Sequence, residues 1–172
     1  LADIIADPAP HSLKTHLLAS DQELPAVYLV RDARDVLVSY ARFAPVHGEH
    51  VTDDQLHRNL RGHILESGGA YGSWSENVET WLARPRTCLM RFEELVQRPI
   101  ESLRVLIEAL ALPCRIRNTR VPTFAELQSQ YPHVYRRGRI GGWRDEFPTE
   151  LLPLFWERHG RVMRRLGYVD ES

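Results

Sequence analysis

Short apolar runs alternate along this chain with stretches whose apolar residues recur at helical spacing, and proline or glycine closes most of them. Ala26-Val-Tyr-Leu-Val-Arg31 gathers β-branched and aromatic residues between Pro25 and the charged Asp32-Ala-Arg-Asp35. That pattern predicts a buried, parallel-type strand running directly into a helix from about Ala33 to Phe43, stopped by Pro45. Residues 46–73 hold His47, Gly48, Gly62, Gly68, Gly69 and Gly72 around one amphipathic stretch, Thr52 to Leu65, with Thr52 and Asp53 suited to an N-cap. Taken as 44–73, this part reads as a mobile excursion rather than a second domain.

A second unit follows. Ser73 begins a helical pattern carrying Trp74, Val78, Trp81 and Leu82, closed by Pro85, after which Thr87-Cys-Leu-Met-Arg-Phe92 reads as a second buried strand. Ile100 to Leu112 is an amphipathic helix ended by Pro113, and a short helix follows Pro122 and runs through Gln130. A Gly- and Arg-rich loop, Tyr135 to Trp143, precedes a final helix from about Pro148 to Leu166, with Gly167 as its stop. The alternation predicts an α/β fold, a central parallel sheet flanked by helices. At 172 residues the chain is one domain, since about 150 residues per domain is the usual ratio.

Composition narrows the class. With 43% hydrophobic and 26% charged residues and a net charge of -1, the chain is globular and offers no bulk field for nucleic acid or an anionic membrane. Of its 22 Lys+Arg residues only Lys14 is lysine, which leaves 21 arginines. A Walker A loop requires G-x-x-x-x-G-K-[ST], and the residues before Lys14 are His11-Ser12-Leu13, so this chain has none. Cys88 and Cys114 lack any zinc-type spacing and are expected as reduced thiols, no metal being indicated. With no apolar window long enough to cross a membrane and no signal-peptide pattern, the expectation is a cytoplasmic enzyme or binding domain.

Three segments carry candidate chemistry. Ligands of open parallel sheets bind at the carboxyl ends of strands, which is where Arg31 stands; with Ser39, two turns along the next helix, it suits a phosphate monoester. The same charges, Arg31, Asp32, Arg34 and Asp35, could instead form a solvated ion-pair cluster. The loop Tyr135-Arg-Arg-Gly-Arg-Ile-Gly-Gly-Trp143 could cradle an anion in a nest of backbone N–H groups beside its glycines, or simply turn the chain in solvent. Lys14 and His16, two apart on an extended segment, point to one side and could act as anion clamp and general base, or be incidental.

In this order the segments resemble the cytosolic-type sulfotransferases that use 3′-phosphoadenosine 5′-phosphosulfate (PAPS). Ser12-Leu-Lys-Thr-His-Leu17 is similar to that family's K-T-H-L stretch, and Val27-Tyr-Leu-Val-Arg-Asp-Ala-Arg-Asp-Val-Leu-Val-Ser-Tyr40 to its 3′-phosphate motif. Arg91-Phe-Glu-Glu-Leu95 is similar to the Y-E-D-L element, and Arg136-Arg-Gly138 with Gly141-Gly-Trp-Arg144 to the R-K-G-x-x-G-D-W-K stretch. The resemblance implies a three-layer, P-loop nucleotide-kinase-like sandwich and transfer of a sulfuryl group from PAPS to a hydroxyl or amine of a small-molecule acceptor, without a metal. It implies Arg31, Ser39, Arg136, Arg137 and Gly138 on the 3′-phosphate, Phe92 and Phe124 at the adenine, His16 as base and Lys14 as the cation beside the sulfuryl group. Residues 44–73 become a lid over the acceptor.

Departures from the family pattern are Phe92 for tyrosine, Arg137 for lysine and Gly142 for aspartate; the first keeps a stacking face and the second its charge. The family's 5′-phosphosulfate loop, with its own lysine, would precede the K-T-H segment by a strand and more, so the domain is expected to be N-terminally incomplete. The alternative reading is a sulfotransferase-like domain without turnover that binds nucleotide or protein. A nucleotide-kinase relative would share the fold but needs a P-loop lysine and Mg²⁺ ligands.

Overall fold

The computed structural model describes residues 12–21, 24–43, 51–132 and 138–169. Two strands, β1 (Ala26–Val30) and β2 (Thr87–Arg91), pair in parallel with Ala26 opposite Thr87 and Val30 opposite Arg91. Between them lie α1 (Ala33–Ala41), α2 (Asp53–Leu65) and α3 (Trp74–Ala83); after β2 come α4 (Phe92–Gln97), α5 (Pro99–Ala109), α6 (Phe124–Gln130) and α7 (Leu152–Arg165), with 3₁₀ turns at Gly142–Asp145 and Thr149–Leu151. Among the described residues no helix is long and apolar enough to cross a membrane, and no group of three or more His, Cys, Asp or Glu could hold a metal ion.

The helix starts follow from local chemistry. Thr52 with Gln55, Ser73 with Glu76 and Thr123 with Glu126 each form a capping box, the cap hydroxyl accepting from the third residue's N–H and that residue's side chain reaching back. At the other end of the chain, Gly167 takes φ +77° and Tyr168 N–H donates to the Met163 carbonyl at 2.9 Å, closing α7 in the left-handed C-terminal motif. The same motif shortens α5. Instead of reaching Leu112 it ends at Ala109, because Ala111 adopts φ +48° and Leu112 N–H bonds the Ile107 carbonyl at 2.9 Å. The second strand likewise ends one residue early, at Arg91, and Phe92 opens the short α4 that the apolar pattern did not reveal.

The core sits between α1, α2 and α7. Leu37, Val38 and Ala41 of α1 meet Leu56, Leu60 and Ile64 of α2 and Phe155 and Met163 of α7, with Trp143, Phe147 and Leu151 filling the same cluster. A second cluster joins Val30 of β1 to Val78 of α3, Val162 of α7 and Leu166 at its C-cap. The helical part of the 44–73 span is thus anchored: Leu60 and Ile64 are fully buried, while 44–50 lie outside the described residues. Neither strand is buried on both faces. Val30 and Met90 face the core, whereas Val27, Leu29 and Leu89 are 44%, 48% and 36% exposed, so the described residues cover one face of the pair. Cys88 and Cys114 are free thiols, and Cys114 is exposed.

α7 carries its apolar stripe at Phe155, His159, Val162 and Met163. His159 lies within this stripe, 1% exposed, with Nδ1 2.8 Å from the Ser75 hydroxyl of α3. Burial, helped by the Arg158 charge, pushes its pKa down from 6.5 to about 4, with the Ile64 backbone and the Glu76 carboxylate pulling the other way. Because the unfolded imidazole binds a proton in this window and the folded one does not, stability is full above about pH 6.5 and falls as the pH drops towards 4, by about 3 kcal/mol in all. Thermal melts between pH 7 and pH 4 should show this slope, and a Ser75→Ala/His159→Leu double variant should flatten it while keeping most of the neutral-pH stability.

Candidate functional site

The site begins at the end of β1. Arg31 leaves the strand, and Asp32 caps α1 by accepting from the Arg34 N–H at 2.9 Å. The four charges that could have formed a solvated cluster do pair, three of them, Asp32, Arg34 and Asp35, buried. Asp32 and Arg34 pair at 2.8 Å with both side chains nearly sequestered, the Arg34 guanidinium lying 3.9 Å from the Trp143 ring centroid. Asp35, one turn on and with 2% of its side chain exposed, takes Arg31 at 3.1 Å.

Asp35 gathers three donors. Its Oδ2 accepts from Arg31 and from the Gly141 N–H at 2.9 Å, and its Oδ1 from the Trp143 N–H at 2.8 Å. Gly141 reaches this position at φ +73°, a conformation that a side chain opposes. The glycine-rich loop therefore does present backbone N–H groups to an anion, as its composition suggested. That anion is the protein's own carboxylate, so these N–H groups are not free to hold a ligand.

Arg31 closes the knot from the other side. Its terminal NH2 also donates to the Arg139 carbonyl at 2.9 Å, and the guanidinium lies 4.7 Å from the centroid of the Phe92 ring. Its Nε is buried with no hydrogen-bond partner among the described residues, while 26% of the side chain stays exposed. Next to Arg139 stands Gly138, at φ +59°, where an added Cβ would run into the Phe124 ring. Arg31, Phe92, Gly138 and Phe124 thus form one continuous group, arranged by Asp35 and the Arg139 carbonyl.

The remaining predicted residues are placed differently. Ser39 is exposed on α1, four positions beyond Asp35 and hence one turn further along that helix face. Arg136 and Arg137 lie outside the described residues, and Arg139, the third arginine of the loop, pairs with Asp145 at 3.0 Å. Lys14 and His16 are exposed on an irregular segment docked against α3 by its backbone. Asn77 donates to the His16 carbonyl at 3.0 Å and Trp81 Nε1 to the Leu17 carbonyl at 2.9 Å. Among the described residues no recorded side-chain contact joins Lys14 or His16 to the Arg31 group.

A sulfotransferase domain model matches residues 1–167 of the chain. The chain belongs to the sulfotransferase domain family. This sulfotransferase domain is 26% identical to sulfotransferase 1A1 of Mus musculus over 91% of the chain and 64% of that protein. It is 31% identical to sulfotransferase 1A1 of Bos taurus over 91% of the chain and 63% of that protein. It spans, then, a little under two thirds of the length of these relatives. Among solved structures it is similar to mouse sulfotransferase SULT7A1 complexed with PAP, with a TM-score of 0.63 and 20% identity over 85% of this chain and 63% of that one. This likeness shows the fold, a parallel sheet flanked by helices.

Sequence reasoning missed Asn77 altogether, and it named Asp35 only as one of four paired charges, not as the acceptor that gathers the loop N–H groups. The charge alternation from Arg31 to Asp35 is the signal that pointed to the pair, although Arg31 precedes α1 and nothing in the spacing shows the loop N–H groups. Asp35→Ala should leave Arg31 and two loop N–H groups without their buried partner and cost about 3 kcal/mol, read as a fall in the urea midpoint. Ser39→Ala, on the exposed face of the same helix, should stay within about 0.5 kcal/mol of the parent.

Proposed function

We propose that this domain is the 3′-phosphate- and acceptor-handling part of a PAPS-dependent sulfotransferase acting on a hydroxyl or amine of a small molecule. The observation that carries this reading is Arg31: a strand-end guanidinium braced by Asp35 and the Arg139 carbonyl, backed by an aromatic face, with a buried Nε that has no partner among the described residues. Such a group is prepaid for a phosphate, because its orientation costs nothing at the moment of binding. In this reading Arg31, Ser39, Arg136, Arg137 and Gly138 hold the 3′-phosphate, and Phe92 and Phe124 flank the adenine. The PAP named with the mouse neighbour is the desulfated form of the same donor.

For the transfer itself, His16 accepts the acceptor's proton as the acceptor oxygen or nitrogen bonds to sulfur. The bond between sulfur and the donor's 5′-phosphate oxygen breaks, and its electron pair leaves with the nucleotide as 3′-phosphoadenosine 5′-phosphate. Lys14 offsets charge on the oxygens around sulfur. As in phosphoryl transfer, in-line placement and charge stabilisation supply most of the rate. Lys14 and His16 stand two residues apart, a spacing that on an extended backbone would put base and cation on one side of the reacting centre.

Isothermal titration of 3′-phosphoadenosine 5′-phosphate against AMP tests the nucleotide assignment. The 3′-phosphate compound should bind at least tenfold tighter, and Arg31→Ala should lose about 10- to 100-fold of that affinity; equal affinities for the two nucleotides would overturn it. Turnover tests the base: His16→Ala should lower kcat about 100-fold or more at unchanged nucleotide affinity, and a variant of full turnover would remove His16 from the mechanism.

A further inference from the structure

Four successive residues of the segment that carries His16 are each held through the backbone. The His16 and Leu17 carbonyls accept from Asn77 Nδ2 and Trp81 Nε1, Leu18 N–H donates to the Ala70 carbonyl at 3.0 Å, and Ala19 N–H donates to the Thr80 hydroxyl at 3.3 Å. Residues 12–20 form no helix or strand of their own, so their conformation is set by what they dock on. Asn77, Thr80 and Trp81 are spaced i, i+3, i+4 and so line one face of α3.

Whereas Trp81 meets β1 by stacking on Tyr28, Asn77 adds two further hydrogen bonds. Its Nδ2 uses both hydrogens, one on the His16 carbonyl and one on the Tyr71 carbonyl at 2.8 Å. Its Oδ1 accepts from the Tyr28 hydroxyl at 3.0 Å. The orientation of the amide is fixed by chemistry, since the two carbonyls can only accept. The phenol is half-buried and stacked on Trp81 at 5.9 Å between centroids, and burial raises its pKa, so it stays a neutral donor. Tyr28 lies in β1, three residues before Arg31. A single side chain therefore ties the His16 segment, the turn at Tyr71 and the strand that ends in the proposed phosphate anchor.

We infer that Asn77 is a positioning residue for sulfuryl transfer: it sets His16 against the end of β1, so that base and nucleotide anchor share one rigid reference. The inference rests on the assignment of His16 as base. Misplacing a catalytic group by about 1 Å can cost on the order of 100-fold in rate, so a hydrogen-bonded support of this kind acts on kcat rather than on binding.

Asn77→Asp tests it with little change of shape. The substitution removes both donors and sets a carboxylate against two carbonyls, while the Tyr28 hydroxyl can still donate. On the protein alone, amide hydrogen exchange at Leu18 should speed up at least tenfold, with the amides of α7 unchanged. In turnover, kcat should fall 10- to 100-fold with the affinity for 3′-phosphoadenosine 5′-phosphate within twofold of the parent. Tyr28→Phe, which frees the amide from β1 but leaves its two donors, should lie between. Unchanged exchange at Leu18 overturns the inference whatever the turnover, and so does a loss of nucleotide affinity equal to the loss of kcat, the mark of general damage. Full kcat in Asn77→Asp alongside an inactive His16→Ala overturns the inference and leaves the proposed function standing. Full kcat in His16→Ala overturns the base assignment itself.

Discussion

A buried carboxylate with three donors is the constraint on which the candidate site depends. Asp35 costs free energy to bury, and only complete satisfaction offsets that cost. Its three donors come from two places in the chain: the end of β1, through Arg31, and the loop, through the N–H groups of Gly141 and Trp143. Once they close on it, the position of the loop is no longer independent of the strand. Gly138 then comes up against Phe124, and the Arg139 carbonyl takes the second hydrogen of the Arg31 NH2. Trp143 lies buried between Arg34 and Phe147, so the same closure fastens the loop to the main core.

The elements were legible where local chemistry decides them. Thr52, read as an N-cap, caps α2, and Ser73, where a helical pattern was read to begin, caps α3; the structure adds Thr123 on α6 and the Gln or Glu that completes each capping box. The strand that leads to Arg31, and the glycine that ends α7, were equally plain because composition and backbone geometry coincide there. Helix ends were less so: Ala111 took a left-handed conformation that no glycine announced. Phe92 read as the last strand residue because an apolar run carries no mark of where a strand becomes a helix.

The site was legible as a set of residue types and illegible as a set of bonds. Arg31, Phe92, Gly138 and Phe124 were named from motifs, and the structure brings them into one group. Asp35 was named only as one of four paired charges, not as their organiser. The N–H groups of the glycine-rich loop looked available to a ligand, and only folding shows that Asp35 has already taken them. Asn77 gave no signal at all, since its hydrogen bonds go to a strand tyrosine and the His16 carbonyl, both distant in sequence, and to the Tyr71 carbonyl of the preceding turn. Partnerships of that kind are made by tertiary packing, which a one-dimensional pattern does not encode.

If Asp35 acts on the ligand only by holding Arg31, then removing either residue should forfeit the same interaction. A double-mutant cycle on the affinity for 3′-phosphoadenosine 5′-phosphate, with Arg31→Ala and Asp35→Asn, measures this directly. The account predicts that the double variant binds no more weakly than Arg31→Ala alone, a coupling of at least about 1 kcal/mol. Additive losses would contradict it, by showing that Asp35 and Arg31 serve the site separately.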